Sequence, residues 1–514
     1  MKKRLLALLL IISISTLLFS ACGGSDDGTT TKANGSTSAD DNDQAGDSED
    51  VYTVVMGYIG DAQEDEQKVE EAINAIIEPE FNARLDLRQF SWGGYQQELQ
   101  LVLSGSEAFD ITPIIIMNAA GYVNNGQVID LTELIEQHGT NIKEYVNADF
   151  IKSPRIGDFT YGVTSMREQI TWEGVLMRTD LLEEAGYTVE DNFVQGVDSM
   201  DDLELVYEKV KAAHPDMIML GSTAGGTPLF RWEVFDALTD GFGVLMDFGQ
   251  ELDVVNLFET DEFIDFASTI YDWNQKGYLS QDAATTTETL QNQIKSGTTF
   301  SFFTPLKAGA VEQDELNSGY DLAAASLFGD PYITSYSVNF FTWGIARNSK
   351  NPEKAFQVLD YMYGSPEVMN LLNWGIEGEH YKVIDEENMT ITFADGVDAQ
   401  STGYMLNFGW ALPNQEISYV WEGETKEKWE LQRQYIDAAT RSKALGFSYD
   451  STDVANQLTA LTNVKNQFYD AIGTGSVNPD EAVPAFNEAL YSAGLQDVID
   501  LKQQQLDAWL EANK

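Results

Sequence analysis

The sequence predicts an α/β protein that ends in a helix-rich region. Three observations carry this. Apolar residues switch between period two and helical spacing, the switching resumes after Tyr161-Gly162-Val163, and helical spacing dominates after Ser418. Tyr52 to Ile59 is β-rich and reads as a strand. Val69, Ala72, Ile73 and Ile76 share one helical face over Glu64 to Ile77, with Pro79 expected to close the helix. Ala83, Leu85 and Leu87 alternate with Arg84, Asp86 and Arg88, the pattern of a half-buried strand. Tyr95, Leu99, Val102 and Leu103 form the next helical face, ended near Gly105, and Ile111 to Met117 is an apolar run of strand length. This strand-helix alternation predicts a parallel sheet covered by helices. Ligands of such sheets sit at the carboxyl ends of strands, where Trp92 and Asn118 fall.

The second stretch opens with a strand over Gly174 to Met177 and a helix over Thr179 to Ala185. Phe263, Phe266, Ala267 and Ile270 make a helical face between Thr260 and Lys276. Leu290 and Ile294 belong to another helix, stopped by Gly297, and Phe300 to Thr304 is a short apolar strand. Tyr336 to Ala346 reads as one long strand able to cross between packing units. Asn351-Pro352-Glu353 supplies an N-cap, an N1 proline and a first-turn acid ahead of Ala355, Val358, Leu359 and Met362. Ser365-Pro366-Glu367 repeats the device, with Gly375 as the stop. Asn478-Pro479-Asp480-Glu481 caps a late helix, and Leu501 to Leu510 forms the last.

The N-terminus is of another kind. Lys2, Lys3 and Arg4 precede the apolar run Leu5 to Phe19, which is short for a membrane span and has the layout of a secretory signal. Leu18-Phe19-Ser20-Ala21-Cys22 is similar to a bacterial lipobox, in which the thiol is diacylated and becomes the mature N-terminus. Gly23 to Asp50 contains no aromatic residue and no Val, Ile, Leu or Met, so it cannot bury a core and reads as a tether with a reach of roughly 30 Å. Cys22 is the only cysteine, so the exported body has no disulfide. About 460 residues remain, enough for two or three packing units. The 83 Asp and Glu against 30 Lys and Arg give a formal charge of -53, which disfavours nucleic acid and anionic surfaces.

Four stretches then resemble one family, the extracellular solute-binding lipoproteins of carbohydrate-type ABC importers. They are Tyr95 to Asp110, Tyr161 to Ala185, Asn351 to Tyr381 with its Gly375-Ile376-Glu377-Gly378-Glu379-His380-Tyr381 loop, and Ala444 to Trp509, which resembles a helical region of one sub-branch. The resemblance implies a two-lobe periplasmic-binding-protein-like α/β fold with a central cleft and a helix-rich C-terminal region. It implies ligand capture by lobe closure, docking of the loaded form on membrane permease subunits, and no chemistry on the ligand. The expected divisions are a lipoprotein signal peptide (1–21), a disordered tether (22–50), first-lobe residues 51–163, second-lobe residues 164–335, a return to the first lobe (336–395), and a C-terminal helical region mainly with the second lobe (396–514).

Sugars present apolar C–H faces and a ring of hydroxyls, met by flat aromatics and by polar side chains. Trp92 beside Gly93-Gly94, Trp172-Glu173 near Arg167, Trp374 ahead of Glu377, His380 and Tyr381, and Trp410 after Asn407 are the expected stacking centres. Trp232 and Trp343 form a second tier, although Trp343 lies in an apolar strand that suits a core. Trp273, Trp421, Trp429 and Trp509 lie in stretches read as helical, where packing is favoured. Glu377 fits a hinge role as well as a ligand contact, and Arg178 with Asp180 reads as a structural pair. The expected ligand-binding set is therefore Trp92, Asn118, Arg167, Trp172, Glu173, Trp232, Trp374, Glu377, His380, Tyr381 and Trp410.

No G-x-S-x-G elbow, H-E-x-x-H or P-loop appears, and the three histidines are scattered, so no catalytic residue, cofactor or metal ligand is assigned. The reading is a lipid-anchored monomer that delivers a carbohydrate, an oligosaccharide, to an ABC permease. A peptide-binding importer lipoprotein, a surface glycosidase using paired acids such as Glu377 and Glu379, and a structural adhesin remain as alternatives.

Overall fold

Two sheets, each with its own hydrophobic core, organise the described residues, 50–170 and 172–513 of a computed structural model. The leader, Cys22 and the tether up to residue 49 lie outside the described residues. In the first lobe, β1 (Tyr52–Ile59), α1 (Glu66–Phe81), β2 (Ala83–Phe90), α2 (Tyr95–Ser104) and β3 (Ile111–Ile115) follow the expected order. β1 pairs in parallel with β2 and β3. The sheet is mixed rather than wholly parallel, because Phe341–Ile345 returns antiparallel to both β3 and Val163–Thr164. Two boundaries differ from expectation. α1 runs through Pro79 to Phe81, since a proline in the last turn removes one N–H without unwinding what precedes it, and Asn82 ends the helix at φ 48. α3 (Ile116–Asn124) starts where β3 ends, so Asn118 stands in a helical first turn.

The second sheet runs in the order Ile218–Leu220, Thr299–Pro305, Glu173–Arg178, Leu322–Ser326, Phe193–Val194 and Val189–Glu190. Phe263, Phe266, Ile270 and Trp273 of the helix Asp261–Gln275 cover one face. The C-terminal helices Ala455–Gly473, Pro479–Ser492 and Leu495–Ala512 add Leu461, Phe486 and Leu506 to the same core. The cap residues act as their chemistry requires: Asn351 accepts from Lys354 N at 3.1 Å, Ser365 from Val368 N at 3.3 Å, and Asn478 from Asp480 N at 3.0 Å.

Among the described residues the chain crosses between the lobes three times: from residue 165 towards Trp172, over 327–340, and through the helix Glu427–Ala438, which places Ile436 in the first core and Tyr435 against Trp172 of the second lobe. The single strand expected over Tyr336 to Ala346 is instead a short helix, Ser335–Asn339, followed by Phe341–Ile345. Thr334 explains the break, because its side chain and that of Ser337 form a reciprocal capping box. The boundary expected at 396 also shifts. Tyr404, Phe408, Ala411 and Leu412 belong to the first core, and the second core takes up the chain again from Ala444.

Candidate functional site

A groove of about 590 Å³ lies between the lobes. Its first-lobe side is built from the end of the helix Pro366–Trp374, the segment 405–410 and the segment 415–422. The second lobe contributes Lys307, Gln313, Leu316 and Asn317, and Glu168, Lys428 and Trp429 close the floor.

Four indoles set its character: Trp374, Trp410, Trp421 and Trp429 all line it. Trp374 and Trp421 lie 5.4 Å apart at 40°, and Trp374 Nε1 donates to Tyr419 O at 3.1 Å, which fixes the ring. Trp410 is backed edge-on by Phe341 at 5.1 Å and Phe408 at 5.5 Å. Trp92, on the turn after β2, is 52% exposed and reaches Trp410 at 5.4 Å and 32°, which extends the aromatic surface towards solvent. Such flat rings, from buried Trp374 and Trp429 through half-buried Trp410 and Trp421 to exposed Trp92, suit the apolar faces of pyranoses.

Charges are gathered around Glu168 on the first crossing. Lys307 Nζ stands 3.6 Å and Lys428 Nζ 3.9 Å from its carboxylate. Burial opposes its ionisation, but the Lys307 and Lys428 ammonium groups, a backbone hydrogen bond and Arg167 together outweigh burial and hold the carboxyl below its usual range. With its amide nitrogen turned towards them, Gln415 donates to Glu168 Oε2 at 3.1 Å and to Gly409 O at 3.2 Å, joining the segment 415–422 to the first crossing and to the segment 405–410. Arg167 is likewise a tie: it donates to Ser337 O at 2.8 Å and Glu168 O at 3.0 Å, and its guanidinium lies 5.3 Å from the Phe340 ring centre.

Of the expected ligand-binding set, Trp374 and Trp410 line the groove, and Trp92 adjoins it. Glu377 is exposed, near enough to add to the raising of the buried Tyr381 and half-buried Tyr419 phenols, which burial raises first. Several residues sit elsewhere. Trp172 packs edge-on against Tyr435 at 4.8 Å inside the second lobe. Trp232 is 5% exposed and stacks on Phe266 at 5.3 Å in the second core. His380 is buried and consumed by its own loop: Nδ1 accepts from Ile376 N at 2.8 Å and Nε2 meets Asp65 Oδ2 at 3.2 Å. Gly375 at φ 84 is what lets the His380 ring in, because a Cβ there would collide with it. Tyr381 packs with Trp374 and Ile391 beneath the groove rather than in it. Asn118 is half-buried, with Nδ2 lacking a partner. Glu173 lies behind the second-lobe wall, 3.9 Å from Arg231. Arg178 and Asp180 pair at 3.0 Å and 2.5 Å, as expected of a structural pair.

Sequence reasoning missed Trp421, Trp429, Lys307 and Lys428. For Trp421 a signal existed: Tyr419-Val420-Trp421 before Gly423 is a β-like run, and Val420–Trp421 is indeed a strand. Among the described residues no cluster of three or more His, Cys, Asp or Glu is arranged to hold a metal.

Two α/β lobes joined by three crossings around an aromatic groove define a protein that grips a solute between its lobes. The profile described as "Bacterial extracellular solute-binding protein" matches residues 64–369, and the chain belongs to that family. A domain of unknown function, DUF3502, matches residues 443–511. A carbohydrate ABC transporter substrate-binding protein from Streptococcus pneumoniae is 27% identical over 483 residues, which cover 92% of this chain and 94% of that protein. The crystal structure of the N-glycan transport solute binding protein (NgtS) from the same species matches with a TM-score of 0.77 at 25% identity, covering 90% of this chain and 100% of that one. Its complexes with Man1GlcNAc and Man5GlcNAc match at 0.67 and 0.66, at 25% identity, covering 89% and 90% of this chain and 99% of each of those. The family is one of solute binding, a transport task rather than a catalytic one.

Proposed function

We propose that this chain is a lipid-anchored, monomeric receptor that captures an oligosaccharide between its lobes and delivers it to the permease of an ABC importer. The observation that carries the reading is the interlobe groove lined by Trp374, Trp410, Trp421 and Trp429. The glycans bound by the streptococcal neighbour point to ligands built from mannose and N-acetylglucosamine. The streptococcal structure reported without a named glycan matches this chain better (TM-score 0.77) than the two glycan complexes do (0.67 and 0.66), which supports lobes that shift relative to one another when a ligand binds. Anchoring rests on the Leu18–Cys22 lipobox.

Calorimetric titration of the full chain with mannose- and N-acetylglucosamine-containing oligosaccharides, and with short peptides, tests the capture. Saturable binding of a glycan is the expected result. Binding of peptides alone, or steady release of shorter sugars, overturns it. Incorporation of a labelled fatty acid, lost in Cys22→Ser, tests the anchor.

A further inference from the structure

The first lobe holds a second cavity, of about 620 Å³, at the end of its sheet away from the indoles. The strand Phe341–Ile345 measures the separation: Phe341 backs Trp410, and the chain beyond Ile345 supplies Arg347, Asn348 and Lys350 to the cavity wall. The ends of α2 and α3 and the segments after them supply Ser104, Ser106 and Gln127.

Its charge runs against the composition. The chain has 83 Asp and Glu against 30 Lys and Arg, yet two cations and no acid line this cavity. Among the described residues the Arg347 and Lys350 side chains make no ion pair and no hydrogen bond. Two acids close by in sequence are engaged elsewhere: Glu107 lies 3.8 Å from Arg88, and Asp110 accepts from Tyr52 Oη at 2.7 Å and Ser349 Oγ at 2.5 Å. Two helices end here, each with about half a negative charge, so α2 and α3 offset about one of the two positive charges. About one unit is left for a ligand. The polar side chains ask for more than an anion. Gln127 is 5% exposed, its Nε2 donates to Ser104 Oγ at 2.7 Å, and its Oε1 has no partner. Asn348 repeats the arrangement: Nδ2 donates to Val102 O at 3.0 Å and Glu107 O at 2.7 Å, and Oδ1 has no partner. Both amides are thus held with carbonyl oxygens that need donors, which hydroxyls supply and a bare anion does not.

We propose that this cavity binds a glycerophosphodiester, with Arg347 and Lys350 holding its single negative charge and its glycerol hydroxyls donating to Gln127 and Asn348. The charge left over by the helix ends matches a monoanion. A planar carboxylate is satisfied by one guanidinium fork, whereas the tetrahedral phosphodiester also presents oxygens to a second cation and to the Ser104 and Ser106 hydroxyls. The formal charge of -53 repels an extended anionic sheet, so one group is the unit recognised. A soluble glycerophosphodiester and a phosphatidylglycerol headgroup share this chemistry. The body begins beside the cavity, where Asn351 N donates to Tyr52 Oη at 3.1 Å, so a lipid-anchored N-terminus would keep headgroups within the tether's reach. Only that lipid source rests on the anchor reading, and neither source rests on the indole groove.

The test is calorimetry of the full chain with glycerophosphoglycerol, dimethyl phosphate and glucuronate, in wild type, Arg347→Gln, Lys350→Gln and Gln127→Leu. Wild type is expected to bind glycerophosphoglycerol saturably and the other two about tenfold more weakly. Arg347→Gln and Lys350→Gln, both at exposed positions, should each lose about tenfold for glycerophosphoglycerol and leave oligosaccharide binding and the melting temperature unchanged. Gln127→Leu should reduce glycerophosphoglycerol to the level of dimethyl phosphate. No binding, equal binding of all three compounds, or an affinity indifferent to both cation variants overturns the proposal. So does a drop in melting temperature without a change in affinity, the mark of cations that only stabilise helix ends. Sedimentation with vesicles of phosphatidylglycerol or of phosphatidylcholine separates the sources. Retention on the first alone, lost in Arg347→Gln, assigns the headgroup, and retention on neither assigns the soluble compound. Failure of every sugar to bind would remove the carbohydrate reading and leave this inference standing.

Discussion

The two walls of the groove are made of different chemistry. The first-lobe wall presents rings that are locked before any ligand arrives, with Trp374 fixed by Tyr419 O and Trp410 by Phe341 and Phe408. The second-lobe wall presents charge that is loosely held, with Lys307 at 3.6 Å from Glu168. A preformed apolar surface can bind a sugar face with little ordering entropy, and loosely held donors can be redirected to hydroxyls and carbonyls when the lobes meet. Under the proposed function, the contrast predicts a division of labour: affinity from the first lobe, selectivity and closure from the second.

Substitutions on each wall break or sharpen that division. Trp410→Ala is expected to lower oligosaccharide affinity by about a hundredfold, since a fully used ring is worth about 1.5–3 kcal/mol and the gap left also lets water in. Calorimetry measures it, and a loss below threefold would show that the first wall is not the binding platform.

Glu173→Gln comes next, and its effect is on stability. Burial first, with Glu233 adding and Arg231 opposing, pushes the native carboxyl up to about 8, and the unfolded one releases its proton near 4.5, so native stability falls as pH rises through that window. Gln removes the dependence. It should be more stable than wild type by about 4 kcal/mol at pH 7.5, with the difference vanishing below pH 4.5, as followed by thermal unfolding across pH. Equal melting curves at pH 7.5 would mean that Glu173 is solvated.

Trp92→Ala should cost about tenfold in affinity with the melting temperature unchanged, because that ring is half in water. Lys307→Met should have the smallest effect, about threefold, and should slow ligand capture more than it speeds release. Stopped-flow association separates the two rates, and a pure change in release would assign Lys307 to the bound state rather than to closure.

The regular elements were legible in the sequence for reasons the structure makes plain. Val69, Ile73 and Ile77 of α1 are buried on one face, and Ala83, Leu85 and Leu87 of β2 on another, so periodicity alone located them. Asn351, Ser365 and Asn478 marked helix starts because each satisfies a backbone N–H that nothing else reaches. The site was less legible. A tryptophan's neighbours in sequence do not reveal which side of an element it faces. Trp172 and Glu173 are adjacent, yet the first packs against Tyr435 and the second meets Arg231, on different sides of their sheet. Trp232 failed for the same reason, its ring turned inward onto Phe266. His380 looked like a ligand-binding group because its loop is polar, but that polarity serves Ile376 N and Asp65. Lys307 and Lys428 carried no local signal, since only the fold brings both to Glu168.

The crowding of Trp374, Trp410, Trp421 and Trp429 around one groove also makes this receptor its own optical probe. Indole emission shifts to the blue when water leaves the ring, and stacking against a sugar displaces that water. Capture can therefore be watched by intrinsic fluorescence, without a label on either partner, and single Trp→Phe variants would show which ring reports each step of lobe closure.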